Sequence, residues 1–367
     1  MKPVVNTGGV PVFCNVLWPT REEALGVTRG DISLRFCEAC GLMHNATFDP
    51  ELVRYSPGYE NSLHFSPTFR DFASGLAERL IARHGLHGKR IVDIGCGNGD
   101  FLRLLCEGTG NVGFGFDPSY NGNGNGTGDL TFVREHFSRE HASLEADFIC
   151  CRHVLEHLDE PRALLQVLEG NQARLYFEVP DGEYMLRETA SWDVIYEHVS
   201  YFTAPTIRRL FRDFGFEALD VGSCFGDQYL YIEAAPASSP GTKSESPVEL
   251  VGLVEHFAER YAQSVNAWAA RLHEFRDAGL RVAVWGAGSK GVTFLNVVPG
   301  GREVELVVDL NVRKHGRFVP GTGQRVEPPE AAGAVKPDVV IAMNPLYVDE
   351  IRARLQKLSV GADVLPV

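Results

Sequence analysis

The sequence predicts an α/β chain with two strand–turn–helix units, and three features carry that expectation. The first is Lys89-Arg90-Ile91-Val92-Asp93-Ile94-Gly95-Cys96-Gly97-Asn98-Gly99-Asp100, an apolar strand and glycine-rich turn running into the helix-like Phe101-Leu102-Arg103-Leu104-Leu105. The second is Arg281-Val282-Ala283-Val284-Trp285-Gly286-Ala287-Gly288-Ser289-Lys290-Gly291, which repeats the pattern near the C-terminus. The third is the stretch 236–247 between them, rich in Pro and Ser and lacking the apolar content to fold, which reads as a linker. A helix-period segment from residue 248 to about 278 leads into the second unit. Four regions follow: 1–70, carrying Cys37-Glu38-Ala39-Cys40-Gly41 and a Tyr- and Ser-rich bridge over 55–67; 71–236, the first unit; 237–280, linker and helix; and 281–367, the second unit.

The first turn lets a backbone approach a nucleoside-like ligand, since a Cβ at Gly95, Gly97 or Gly99 is expected to collide with it. A pyrophosphate on a helix N-terminus is repelled by a fixed anion beside it, so Asp93 argues for a cationic ligand instead. The arrangement resembles the first motif of the class I S-adenosylmethionine (SAM) methyltransferases. In Asn111-Val112-Gly113-Phe114-Gly115-Phe116-Asp117 a second strand ends in an acid about twenty residues on, where a carboxylate reaches ribose hydroxyls. The resemblance makes Asp117, with Pro118 after it, the ribose side of the site. It places adenine near Glu135-His136-Phe137, and it puts Arg152 and His153 on the cofactor side at the end of a fourth strand. Val154-Leu155-Glu156-His157-Leu158-Asp159-Glu160-Pro161 resembles the segment that follows that strand, and Tyr176-Phe177-Glu178-Val179-Pro180 reads as a fifth strand ending at the substrate mouth. The implied fold is a Rossmann-like SAM methyltransferase core with a small N-terminal cysteine-containing domain and a C-terminal Rossmann-like α/β domain.

Taken alone, Gly286, Gly288 and Gly291 with Asp309 beyond them form a G-x-G-x-x-G pattern that indicates an NAD-dependent oxidoreductase. Lys290 puts a cation in that turn, and no nicotinamide substrate domain follows it. A turn that binds a substrate phosphate fits better, beside a purely structural α/β cap. The order of a Cys-x-x-Cys segment, the bridge, the SAM unit, Ile195-Tyr196-Glu197-His198-Val199-Ser200-Tyr201-Phe202, the block 286–296 and Asp309 to Thr322 resembles the sugar C-methyltransferases of nucleotide-linked keto-deoxysugars.

That resemblance implies methylation of a carbon next to a ketone, with His198 as base, Glu197 orienting it, and Tyr59 and Tyr196 sharing the site. It implies substrate contacts from Tyr201, Gly286, Gly288, Lys290 and Asn296. Here Tyr196 abuts Glu197, where the family has an intervening residue: either Tyr196 swings aside and His198 keeps its place, or His198 is a buried structural histidine. His153 and His157 are rival bases. Relatives bind a structural zinc through two Cys-x-x-Cys pairs; this chain offers Cys37 and Cys40, with Cys14 and His44 as substitutes for the other two ligands. O- or N-methylation of another small metabolite remains the alternative acceptor chemistry.

Composition agrees with a small-molecule enzyme. A net charge of −13 carries no electrostatic footprint for nucleic acid. No apolar run approaches membrane-spanning length and no signal peptide opens the chain, so a cytoplasmic location is expected. The eight cysteines read as reduced thiols rather than a disulfide framework.

Overall fold

The computed structural model describes residues 1–53, 58–122, 129–141, 144–238 and 248–367. Residues 54–57 at the start of the bridge, the Asn–Gly repeat 123–128 and the linker residues 239–247 lie outside the described residues.

Three sheets organise the chain. The N-terminal sheet contains β1 (Lys2–Pro11), β2 (Arg29–Phe36), β3 (Met43–Asn45) and, arriving from far along the chain, β9 (Ser200–Tyr201), all antiparallel in the order β1-β2-β3-β9. The sequence does not announce these strands. Pro3, Gly8, Gly9 and Pro11 interrupt the strand, and the register shifts twice between β1 and β2, so the apolar alternation that marks a strand is broken.

The central sheet comprises β4 (Arg90–Ile94), β5 (Val112–Phe116), β6 (Leu130–Val133), β7 (Phe148–Arg152), β8 (Arg174–Pro180), β10 (Phe216–Cys224) and β11 (Tyr229–Pro236), in the order β10-β11-β8-β7-β4-β5-β6. The strands from β6 to β8 are parallel, and β11 runs antiparallel to β8 and β10. Ile91, Val92 and Ile94 are buried, as expected of a strand covered on both faces. The chain winds outward from β4 through β5 and β6, then returns to β7 on the other side. Between the carboxyl ends of β4 and β7 lies a topological switch point, where open α/β sheets bind ligands.

The C-terminal sheet is parallel throughout: β12 (Val282–Trp285), β13 (Leu306–Val308), β14 (Val326–Glu327), β15 (Val339–Ala342) and β16 (Asp363–Pro366), ordered β14-β13-β12-β15-β16. A helix over Val248–Asp277 ties this unit to the first sheet. Its Leu250, Val254, Phe257 and Tyr261 join the apolar cluster of the N-terminal sheet, while Trp268 and Leu272, further along the same stripe, join that of the C-terminal unit. The C-terminal unit also meets the central one directly. The side-chain amides of Gln228 and Asn344 bond reciprocally (2.9 and 2.8 Å), and Glu350 accepts from the hydroxyls of Ser66 and Thr68 (both 2.7 Å). No helix among the described residues is long and apolar enough to cross a membrane.

Candidate active site

The carboxyl end of β4 delivers the first site residues. Gly95, Gly97 and Gly99 all adopt left-handed φ (73°, 55° and 81°), giving a turn sharp enough to start the helix Asp100–Cys106 at once. Their reasons differ, and this corrects the expectation that all three clear a ligand. A Cβ on Gly95 meets Val154 Cγ2 at 2.0 Å, and one on Gly99 meets the Phe132 ring at 2.2 Å, whereas one on Gly97 meets nothing within 4 Å. Only Gly97 borders open space. Gly95→Ala combines a clash with a disfavoured backbone and is expected to cost about 2–4 kcal/mol. Urea unfolding checks this; an unchanged midpoint contradicts it.

Asp117, at the end of β5, holds the turn from the side. Its Oδ2 accepts from the Gly97 amide (2.8 Å) and its Oδ1 from the Ser119 amide and hydroxyl (2.7 and 2.6 Å), leaving a lone pair for a further donor. Pro118 follows in the turn. Phe137 packs edge-on against Phe116, 5.2 Å between centroids. Asp93 is only 3 % exposed and lies behind the turn. Burial pushes its carboxyl up to about 7, opposed by the Cys150 thiol at 3.3 Å and by Arg152. These features fit SAM: a switch-point crevice, a glycine with room above it, and a strand-end acid for a ribose. Asp117→Ala removes both the acceptor and the brace on Gly97, and is expected to weaken S-adenosylhomocysteine binding at least tenfold by calorimetry.

β7 supplies Arg152 and His153. Arg152 donates from Nε to Glu178 Oε1 (2.8 Å), with Nη2 2.7 Å from the same oxygen as an ion pair, and lies 4.3 Å over the Phe101 ring. His153 adopts φ 54°, an uncommon backbone for a residue with a Cβ, while its amide donates to the Glu178 carbonyl (2.8 Å). Its ring lies 3.5 Å from Glu156 and 3.2 Å from Glu178. Burial opposes the charge, but these two carboxylates raise the His153 pKa to about 9, which suits an acid or a fixed cation rather than a base.

The segment before β9 brings Glu197 and His198 to the same crevice. Glu197 is fully buried; its Oε2 accepts from the Cys14 amide at 2.7 Å. Burial raises its pKa, against His157, the Cys14 and Asn15 amides and the Tyr59 hydroxyl. Tyr59 also accepts from the Asn15 side-chain amide (3.2 Å). The His198 ring stands perpendicular to His157, 5.0 Å between centroids, and its buried Nδ1 has no hydrogen-bond partner among the described residues. Burial, with His157, His153 and Lys290 adding to it, pushes the His198 pKa well below its ordinary value, so the ring is neutral at pH 7.

The C-terminal turn faces these groups. Lys290 pairs with Asp193 at 2.8 Å, and a Cβ on Gly288 has Lys314 Nζ at 3.8 Å and Asn15 Oδ1 at 3.9 Å as its nearest atoms. The Lys314 ammonium is buried between the Ala287 carbonyl (3.1 Å) and Asp309 (3.4 Å). Asp309 also accepts from the Ala287 amide (2.8 Å). The acid at the ribose position of a dinucleotide site is thus engaged by a lysine, which counts against the NAD reading. Gly286 has φ 116°, and the Gly286 carbonyl lies where a Cβ on Gly291 belongs, so the third glycine serves strand–helix packing.

Several expected site residues turn elsewhere. The Tyr196 hydroxyl accepts from the Asp49 amide (2.9 Å), its ring packs on Phe48, and it fills the space beside Gly30 in the N-terminal sheet. It swings aside while Glu197 and His198 face the crevice. Tyr201 is buried, with its hydroxyl accepting from the Ile195 amide (3.1 Å) and donating to the Ile195 carbonyl (3.3 Å), so it braces the loop rather than reaching a substrate. Asn296 Nδ2 donates to the Val292 and Pro320 carbonyls (both 2.9 Å), and its task is to hold the 320–321 turn. Cys37 and Cys40 flank the β2–β3 turn, where the Cys40 thiol lowers the Cys37 pKa. Among the described residues they join no group of three or more metal-ligating side chains. Cys14 lies instead beside Thr293 and the Glu197 carboxylate, and the eight cysteines are free thiols. A four-ligand structural zinc does not fit two thiols. Sequence reading missed Glu178, Asn15, Glu60 and Lys314. Glu60 accepts from Asn311 (3.0 Å) and Arg313 (3.1 Å), tying the bridge to the C-terminal unit.

Comparison with known proteins places this geometry. Residues 68–221 match the model of a methyltransferase domain, and residues 243–365 that of a C-methyltransferase C-terminal domain. The C-methyltransferase NovU of Streptomyces niveus is 25% identical over 382 residues, spanning 95% of this chain and 88% of that one. Among solved structures, magnesium protoporphyrin IX methyltransferase of Synechocystis PCC 6803 with bound SAH is similar over 46% of this chain and 84% of its own (21% identity, TM-score 0.35). The 1,6-didemethyltoxoflavin-N1-methyltransferase of Burkholderia thailandensis is similar over 47% and 82% (18% identity, TM-score 0.36). With a methyltransferase domain and a C-methyltransferase C-terminal domain both matched in order, the chain is a SAM-dependent methyltransferase with the domain order of a C-methyltransferase.

Proposed function

We propose that the acceptor is a nucleotide-linked keto-deoxysugar, methylated on a carbon α to its ketone, and that His198 is the base. One observation carries this reading: the turn of the C-terminal unit and the His198 segment pack side by side, stitched by the Lys290–Asp193 pair and by the Cys14–Asn15 strip between Glu197 and the helix Ser289–Val297. A phosphate-type turn beside a neutral imidazole suits a substrate with a phosphate handle at one end and an acidic C–H at the other.

Gly97 and Asp117 would hold the cofactor, with Arg152 and Asp93 beneath it. When bound, SAM supplies an electrophilic methyl group, which a carbanion next to a ketone can take. His198 Nδ1, buried and unpartnered, accepts the α-proton, and the electron pair moves onto the ketone oxygen. The Tyr59 hydroxyl, hydrogen-bonded to Glu197 and Asn15, would donate to the resulting enolate by turning its one proton from the Glu197 carboxylate. Lys290 and Lys314 hold the diphosphate side.

The reading is tested by incubating the enzyme and S-adenosylhomocysteine with a thymidine-diphosphate 4-keto-6-deoxysugar in deuterium oxide. Loss of the α-proton signal by NMR is expected, followed with SAM by a C-methyl product. Methyl transfer to oxygen or nitrogen, or no exchange with any diphosphate sugar, overturns it.

A further inference from the structure

We propose that Glu156, His157 and His198 form a divalent transition-metal site whose occupation shuts the enzyme off. One ligand atom from each of the three lies within 4.8 Å of the others. Two imidazoles and a carboxylate are a donor set for borderline metals such as Zn2+ or Co2+, rather than for Mg2+ or Ca2+. At metal–ligand bonds of about 2.0–2.1 Å, tetrahedral donors stand about 3.4 Å apart, so the side chains need to close by roughly an ångström.

Two observations point to a ligand. Glu156 is 2 % exposed, yet neither of its carboxylate oxygens has a hydrogen-bond partner among the described residues, and the buried Nδ1 of His198 has none either. A buried carboxylate without a donor is costly and uncommon, and a cation is one way to satisfy it. The cationic His153 already pairs with this carboxylate, but through Oε1 alone and without a hydrogen bond (Nδ1 at 3.5 Å), so Oε2 is left for a second cation. His157 is already turned for ligation: its Nδ1 faces the Glu197 carbonyl at 3.0 Å, so Nδ1–H donates there and the lone pair sits on Nε2, the tautomer a carbonyl behind a ligating histidine commonly fixes. Glu156 Oε1 is 3.9 Å from that Nε2. The imidazoles are half-buried, giving an ion a path from the crevice.

The inhibitory half rests on the reading of His198 as base: a metal takes the lone pair that the α-proton needs, and the substrate keeps its proton. Binding itself does not depend on that reading.

Co2+ titrated into the untagged full chain serves as the probe. Visible d–d bands saturating at one equivalent are expected, with no thiolate charge-transfer band and no change in a Cys37→Ser, Cys40→Ser variant. Glu156→Gln and His157→Gln are each expected to weaken binding at least tenfold, with folding checked by the S-adenosylhomocysteine thermal shift. One equivalent of Zn2+ should abolish methyl transfer, and a chelator should restore it. Absence of the bands, or their survival in both variants, overturns the site. Bands lost in the variants together with undiminished or increased turnover on loading keep the site and overturn inhibition, and with it the role of His198 as base.

Discussion

Replacing His198 with glutamine is expected to lower kcat for methyl transfer by about 10²–10⁴-fold, the usual contribution of a positioned general base. The amide keeps the size and polarity of the side chain but has no lone pair of useful basicity. The S-adenosylhomocysteine thermal shift should stay as in the parent, because the cofactor residues Gly97 and Asp117 hang from β4 and β5, while His198 comes from the segment before β9. Two readouts separate chemistry from architecture. Exchange of the α-proton in deuterium oxide should vanish together with methyl transfer, since both need the same proton abstraction. If exchange persists while methylation stops, another group is the base; His153, kept cationic by Glu156 and Glu178, is poorly suited to the task. If both persist, His198 is structural.

The cofactor half of this site was legible in the sequence and the acceptor half was legible only through resemblance. The Asp93–Gly99 turn and Asp117 lie close along the chain, on successive strands whose spacing is fixed by one βαβ unit, so spacing implies proximity. Even there the reasons were not legible. Gly95 and Gly99 yield to Val154 and Phe132, which come from elsewhere in the chain, and only packing reveals them. The Tyr196–Glu197–His198 run has no period that tells which side chain faces the cleft; the answer depends on the ring filling the space beside Gly30. Lys290–Asp193 spans 97 residues and Glu60–Arg313 spans 253, and no local pattern announces either. The N-terminal sheet was hidden by its own prolines and bulges.

Glu178 shows the same limit from the side of stability, and its replacement by glutamine is expected to be the most destabilising isosteric change in the central unit. The carboxylate is fully buried; it accepts hydrogen bonds from Arg152 Nε at 2.8 Å, the Tyr176 hydroxyl at 2.7 Å and the Cys224 thiol at 3.5 Å, and it is ion-paired with Arg152 Nη2 at 2.7 Å and His153 at 3.2 Å. Burial alone would raise its pKa; Arg152 first, then His153 and Tyr176, hold it far below the ordinary carboxylate range. Glutamine retains the shape and removes the one anion that Arg152 contacts directly. A buried guanidinium left without its partner costs about 3–5 kcal/mol. The expected fall in the urea midpoint has a control that separates lost charge balance from lost packing. Removing both charges, as Arg152→Met with Glu178→Gln, leaves no uncompensated guanidinium, and the double variant should be more stable than Glu178→Gln alone. If the double variant is instead the weaker by the sum of the two single effects, the residues act independently and the buried pair is not what holds the β7 carboxyl end in place.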